Sequence, residues 1–268
     1  MASIQIDGQK IEDTRKSRNP VLYFDKLQMY MGRPYSIDVE SAVGKIVIYP
    51  PTIGKIIDLG EKNFYSTLSV FTTNTTSHRL LLWENGIDWN EISDYQLFCM
   101  LYKQVSFDAT QLIFGDIDFN DFQLVKRADG EVSLYNEKLN IEINEEVYQH
   151  IAQYLRNVFN IFPEEKITKS GVMKEMFIAK DKRELANQQL NKKESSSIQS
   201  LISACVNHPG FKYKLKELED MGVCEFYDSV KRLQIYESTT ALMKGMYSGM
   251  IDTKQISSDS YNFMRDFD

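Results

Sequence analysis

Oxygen-bearing side chains alternate in the segment GDIDFND, at Asp116, Asp118 and Asn120. Calcium-binding loops space their oxygen ligands in this way, and an EF-hand loop also needs a glycine at its sixth position and a bidentate glutamate at its twelfth. Asp121 and Arg127 occupy those two positions here. The segment therefore favours a polar turn ahead of a β-hairpin over a calcium site.

The histidines and the serine run show no arrangement typical of catalysis. His78, His150 and His208 lie far apart, and none stands at a metal-ligand spacing from a cysteine or a carboxylate. The serine run at 195–197 precedes an apolar stretch and has no histidine nearby, so it favours helix capping over nucleophilic catalysis. Phosphate-binding glycine loops, nucleophile elbows and metalloprotease motifs are missing from the sequence. We expect no catalytic site, no metal and no cofactor.

The composition is that of an ordinary globular protein, with 43% hydrophobic and 26% charged residues in a chain of 268. The net charge of −7 argues against a nucleic-acid binder, which needs a concentrated basic surface. Cys99, Cys205 and Cys224 are scattered and odd in number, which favours a reducing compartment over a disulfide framework. No apolar signal region begins the sequence, and no apolar run reaches the roughly 18 residues of a transmembrane helix. We expect no membrane association.

Local signals predict the elements that must position any functional side chains. The β-branched run at 46–49 predicts a strand, which Pro50 ends. Thr52 is placed to cap a helix that Gly60 would interrupt, and Ser93 begins a capping box. These elements belong to the first half of the predicted α+β domain.

A β-meander is predicted in the second half of that domain. Strands are expected at 122–125, 131–135 and 139–143, and the Asp-Gly pair at 129–130 is typical of the turn between the first two. Asn144 then caps a helix with one continuous apolar stripe. The meander and this helix would complete the domain.

The chain divides into four predicted segments. Residues 1–20 are expected to form a flexible arm, residues 21–163 the α+β domain, residues 164–197 a charged helical linker, and residues 198–268 a helical C-terminal domain. The predicted fold class is α+β. An N-terminal mixed α/β domain with a small antiparallel β-meander is followed by an all-helical C-terminal domain.

The C-terminal segment carries aromatic, aliphatic and methionine side chains at helical spacing. Such a stripe forms either an ordinary core or an adaptable surface for a partner protein, and inward-facing stripes are the commoner case. The residues alone leave both interpretations open. The candidate partner-binding residues are Phe226, Tyr227, Val230, Met243, Met246 and Tyr247.

Two stretches resemble proteins of the tail-morphogenesis modules of tailed bacteriophages and related contractile tail particles. The first is IVIYPPTIGKI at 46–56, an apolar strand followed by prolines and a threonine that opens a helix. The second combines CEFYDSVKRL at 224–233 with LMKGMYSGMID at 242–252. Within that group, the chain is most similar to the tail assembly chaperones, although it is longer than many of them.

The resemblance implies a non-enzymatic protein of the host cell cytoplasm that binds the tape measure protein. Such a chaperone keeps its helical client from aggregating and helps to recruit tail tube subunits. The resemblance implies no catalytic residue. Two alternatives remain: a structural component of the phage particle, such as a tail, neck or baseplate protein of the virion, and an enzyme or regulator with a site of dispersed residues.

Overall fold

The computed structural model describes residues 5–6, 9–10, 19–127, 130–190, 196–249 and 256–266. The strands in these ranges are β1 Gln5–Ile6, β2 Gln9–Lys10, β3 Tyr35–Ser36, β4 Val47–Ile48, β5 Gln123–Lys126, β6 Val132–Asn136 and β7 Ile141–Ile143. The helices are α1 Lys26–Tyr30, α2 Ile53–Leu59, α3 Glu61–Thr72, α4 Arg79–Glu84, α5 Asp94–Leu101, α6 Phe107–Phe114, α7 Glu145–Phe159, α8 Gly171–Leu190, α9 Ser197–Val206 and α10 Val223–Tyr247. Small sheets lie in the N-terminal half and helices towards the C-terminus, which confirms the predicted fold class.

The strands pair in antiparallel fashion. β1 pairs with β2 and β3 with β4, and β5, β6 and β7 form the predicted meander in that order. Leu134 of the central strand pairs with Leu124 on one side and Ile143 on the other. Gly130 has a φ of 89°, a conformation that glycine adopts readily in a turn. The other residue of the predicted turn, Asp129, lies outside the described residues.

Side-chain caps set the starts of several helices. The Oγ1 of Thr52 accepts a hydrogen bond from the backbone N of Lys55 at the start of α2. Gly60, with a φ of 94°, separates α2 from α3. Ser93 forms a capping box at α5, and Asn144 caps α7. The caps and the break predicted at these four positions are confirmed.

Helix α7 lies at the centre of the molecule, in contact with α3, α5, α10 and β7. Its apolar face is almost wholly buried. Tyr148 stacks on Phe98 of α5 with ring centroids 4.8 Å apart, and Tyr154 stacks on Tyr35 with centroids 4.4 Å apart. The helix ends at Asn160, which takes the left-handed conformation. This one helix therefore organises the core on which the other elements pack.

The C-terminal helices pack on the same core. The backbone N of Val223 donates to the O of Pro51 at 3.0 Å, and the N of Ile53 donates to the O of Met221 at 3.0 Å. Phe226 of α10 belongs to the same buried cluster as the apolar face of α7. The segment predicted as a C-terminal domain is thus joined to the α+β domain by a continuous core.

Gly54→Ala is expected to loosen this junction and lower Tm, as measured by scanning calorimetry. A β-carbon at Gly54 would lie 2.7 Å from the backbone O of Glu219, closer than non-bonded atoms approach each other. Relieving the clash requires a backbone shift that costs about 1–3 kcal/mol.

Gly171→Ala is the matched control, because a β-carbon there meets no atom within 4 Å. Its Tm should stay the same or rise slightly, since alanine restricts the unfolded chain more than glycine does. Equal losses of Tm in the two variants would contradict the close approach at Gly54.

The segment predicted as a charged helical linker contains α8 and is bonded to the α+β domain. The indole Nε1 of Trp89 donates to the O of Lys166 at 3.1 Å. The Nε of Arg79 donates to the Oδ2 of Asp181 at 2.6 Å, and both side chains are mostly buried. The pair of Arg79 and Asp181 joins α4 to the middle of α8, and the Trp89 bond holds the chain that precedes α8. Residues 191–195 of the segment lie outside the described residues.

The predicted N-terminal arm meets the fold along α7. Apart from β1 and β2, residues 1–18 lie outside the described residues. The Nε2 of Gln149 donates to the Oδ1 of Asn19 at 2.7 Å, and the Nε2 of Gln153 donates to the O of Pro20 at 2.6 Å. The chain is therefore anchored from Asn19 onwards.

Candidate partner-binding groove

Helices α1, α7 and α10 enclose a groove with a volume of about 530 Å³, here called the α1–α7–α10 groove. Met29 of α1 and Val158 of α7 are buried and contribute apolar surface to its lining. Phe162, which follows α7, also lines the groove and is 65% exposed. The groove is thus lined by two buried apolar side chains, Met29 and Val158, and by one apolar side chain that is exposed to water, Phe162.

Helix α1 supplies one wall of the groove. Its start is fixed by Asp25, whose Oδ1 accepts hydrogen bonds from the backbone N of Leu27 at 2.9 Å and of Gln28 at 3.1 Å. Only Met29 of this helix is buried. Leu27 is 66% exposed and Tyr30 is 38% exposed, so the helix leaves large apolar side chains uncovered. An uncovered apolar patch beside a groove is typical of a protein-binding surface.

Helix α10 contributes Cys224 and Tyr227 to another wall of the groove. The hydroxyl of Tyr227 lies 2.8 Å from that of Tyr65 on α3, which holds the ring in place. Burial, and then the charge of Asp228, raises the pKa of Cys224 to about 11. The side chain is therefore a neutral thiol at physiological pH, and thiols are far weaker nucleophiles than thiolates. This wall therefore presents a neutral thiol to the groove.

Charged side chains line the groove beside its apolar surface. Burial raises the pKa of Asp228, while Arg232 and Lys231 act in the opposite direction. Lys26 and Asp266 are the other charged lining residues. Both signs are thus present around an apolar centre, an arrangement that favours an amphipathic peptide segment over a uniformly charged polymer.

The C-terminal segment 256–266 lies along α10 and reaches the groove. The Nη1 of Arg232 donates to the O of Phe263 at 2.9 Å and to the O of Arg265 at 3.0 Å. The Nη1 of Arg265 in turn donates to the Oγ1 of Thr239 at 3.1 Å. These bonds place Asp266 in the groove lining.

The six candidate residues from the sequence do not form one surface. Phe226 is completely buried and is a core residue, and Val230 is partly buried against the same core. Tyr227 lines the groove. Tyr247 is 84% exposed at the far end of α10 and lies about 30 Å from Tyr227, at 1.5 Å of helix rise per residue. Met243 is 38% exposed near that far end.

One continuous helix explains this separation. The stripe, for which the sequence left core and partner surface both open, runs along a 25-residue α10, so its ends cannot reach one small partner site together. Met246, the second-to-last residue of α10, is only partly exposed. Of the predicted residues, the groove includes Tyr227 alone.

The sequence prediction missed Met29, Tyr30 and Phe162. The sequence over α1 is compatible with both a strand and a helix, which leaves the direction of these side chains open. Asp25, a good N-cap residue, was the available signal for the helix. Phe162 continued the apolar stripe of α7, but Asn160 ends that helix and the ring emerges into water.

The other polar residues singled out in the sequence make hydrogen bonds or ion pairs within the fold. The Oδ1 of Asp118 accepts a hydrogen bond from the backbone N of Asn120 at 2.8 Å in a 3₁₀ turn, and Asp121 pairs with Lys138 at 2.7 Å. Among the described residues, no cluster of histidine, cysteine and carboxylate side chains could hold a metal ion. His78 bonds the hydroxyl of Thr73, and burial lowers its pKa.

Comparison with known proteins connects the C-terminal part of the chain with phages. Residues 191–268 match the family model of the YomV second domain, a phage-associated family. The matched range includes α9, α10 and the segment 256–266, and hence one wall of the groove. No curated protein and no solved structure shows a significant similarity to the chain. In the part of the chain that the structure describes, no helix is both long and apolar enough to cross a membrane. The family match points to a phage-related protein.

Proposed function

We propose that this chain is a phage tail assembly chaperone that binds an apolar helical segment of the tape measure protein in the α1–α7–α10 groove. The observation that carries the proposal is the open groove, with an apolar lining and exposed apolar side chains beside it. The phage-associated match over one of its walls supports the phage context. The assignment of the client rests on the resemblance to tail assembly chaperones.

The physical basis of client binding is the removal of apolar surface from water. An amphipathic helix inserts anchors at spacings of three and four residues into such a groove. Covering Tyr30 and Phe162 would stabilise the complex by about 25 cal/mol for each Å² of apolar surface buried. Charged groups in the lining, such as Lys231, would contact the polar edges of the helix.

The proposed site of action is the host cell cytoplasm, where the chaperone would keep the client soluble and deliver it to tail tube subunits. Nucleic acid is not a proposed partner, because the net charge of −7 opposes binding to phosphate backbones. Binding, without chemistry, is the proposed activity.

Two measurements on one phage test the proposal. The tape measure protein should co-purify with this chain when both are co-expressed, and it should aggregate when expressed alone. Purified particles analysed by mass spectrometry should lack the chain. Stoichiometric amounts of the chain in finished particles would instead indicate a structural component of the tail, neck or baseplate.

Phe162→Ser is expected to weaken binding of the tape measure protein at least about tenfold, because large aromatic anchors dominate such interfaces. The side chain is 65% exposed, so the variant should fold with an unchanged Tm. Quantitative pull-down measures the amount of tape measure protein that the variant retains, relative to the amount that the unmodified chain retains.

Phe107→Ser is the matched control, because Phe107 is 39% exposed on α6, away from the groove lining. It should retain full binding. Client binding by Phe162→Ser at the level of this control would show that the groove is not the client site.

A further inference from the structure

Helix α8 has a second apolar face that the fold leaves uncovered. Six of its residues follow one another at alternating spacings of four and three, which is the spacing of a coiled-coil seam. All six are exposed, including Val172 at 69%, Met176 at 59% and Leu190 at 84%. The residues of this α8 seam are Val172, Met176, Ala179, Arg183, Ala186 and Leu190.

The opposite face of α8 holds the helix in place. Ile178 is buried, and the guanidinium of Arg79 lies 5.0 Å from the ring centroid of Phe177 while it bonds Asp181. Each residue from 182 to 190 is exposed, so the second half of the helix extends beyond its packing on the fold. The seam is about 27 Å long, at 1.5 Å of rise per residue, and the packed first half of the helix holds it at the surface.

Arg183 lies in the middle of this seam. Its neighbours on α8 have partners, since Lys180 pairs with Glu184 at 3.6 Å and Lys182 pairs with Glu84 at 3.5 Å. Within the described ranges, Arg183 itself makes no ion pair. A polar residue at a seam position specifies register and oligomer state in coiled coils. A charge enclosed in such an interface is stabilised by an opposite charge across it.

We propose that the α8 seam docks a helix of another protein, one with apolar residues at heptad spacing and a glutamate or aspartate opposite Arg183. A second copy of α8 is a poor occupant, because its own seam offers no carboxylate and would leave the charge of Arg183 unmatched. The seam is separate from the α1–α7–α10 groove, and its role goes beyond the proposed function. It would give the protein a second, charge-selected contact.

A charge-reversal experiment on the full chain tests the seam. The probe is a designed, fluorescein-labelled helical peptide of three heptads with leucine at its seam positions and one glutamate placed to meet Arg183. A second peptide carries lysine in place of that glutamate. In fluorescence anisotropy titrations, the glutamate peptide should bind at least about tenfold more tightly, since opposed like charges are strongly unfavourable. Arg183→Glu should reverse that preference.

Two further variants separate the seam from general charge effects. Met176→Glu places a charge within the apolar seam and should abolish binding of either peptide. Gln188→Glu adds the same charge on an exposed position outside the seam and should leave the affinity unchanged. Circular dichroism should show the same helix content in each variant, because the substituted side chains are exposed.

Three results would overturn the proposal: no binding of the glutamate peptide, equal binding of both peptides, or full binding by Met176→Glu. Sedimentation velocity gives a fourth criterion. A dimer of the full chain that Met176→Glu dissociates would assign the seam to a second copy and not to a heterologous acidic helix.

Discussion

Phe226→Ala is expected to lower the free energy of unfolding by about 3–5 kcal/mol, the loss typical of truncating a buried phenylalanine. Phe226 has no exposed surface and packs in the core shared by α7 and α10. The truncation removes apolar contacts and leaves a cavity that the neighbouring helices close only in part. Phe226→Asp should be more harmful still, because it buries a carboxylate without a partner.

Urea denaturation followed by circular dichroism measures this effect. Tyr247→Ala is the control on the same helix, because Tyr247 is 84% exposed, and its stability should change by less than about 0.5 kcal/mol. Since the core is continuous, Phe226→Ala should move one transition of the whole chain. An early transition confined to the C-terminal part would contradict the shared core.

The different environments of Phe226 and Tyr227 show what a sequence pattern cannot resolve. Both residues belong to the apolar stripe that the sequence predicts. They are neighbours on a helix with 3.6 residues per turn, so their side chains leave the helix axis about 100° apart. One enters the core and the other contacts Tyr65 and lines the groove. The position of α7 beside α10 decides that Phe226 is buried and that Tyr227 lines the groove.

Local signals predicted the boundaries that local chemistry sets. Thr52, Ser93 and Asn144 each cap a helix through a bond to a backbone N within three residues. Such bonds depend on the immediate sequence, and a pattern of neighbouring residues can therefore reveal them. The β-meander could also be predicted from the sequence. Alternating apolar and polar residues and an Asp-Gly turn define a hairpin without reference to the remaining fold.

The arrangement of α8 depends on partners that are distant in the sequence. Its composition is charged, which is typical of a solvated helix, but Asp181 pairs with Arg79 across 102 positions. Nothing in the spacing of either residue indicates the other. The groove has the same origin, because Met29, Val158 and Tyr227 come from three helices that meet only in the folded chain.

Residues 73–76 form a buried polar loop that contacts the ion pair of Arg156 and Asp94. The Nε of Arg156 donates to the O of Thr72 at 2.9 Å, and its Nη2 lies 3.3 Å from the Oδ2 of Asp94. The Oδ1 of Asp94 accepts from the backbone N of Thr75 at 3.0 Å. The side chains of the pair are only 11% and 9% exposed. The pair therefore satisfies backbone groups that water reaches poorly.

Arg156→Met is expected to lower the free energy of unfolding by about 3–5 kcal/mol, because it leaves the buried carboxylate of Asp94 without its counter-charge. Asp94→Leu should lower the free energy of unfolding less in the Arg156→Met variant than in the unmodified chain, since the two residues interact directly. Lys180→Met breaks an exposed pair with Glu184 and should change stability by less than about 1 kcal/mol. Urea denaturation of the unmodified chain, the single variants Arg156→Met and Asp94→Leu, and the double variant gives the coupling energy. Strict additivity, or a loss in Arg156→Met no larger than in Lys180→Met, would mean that the buried pair does not hold the loop.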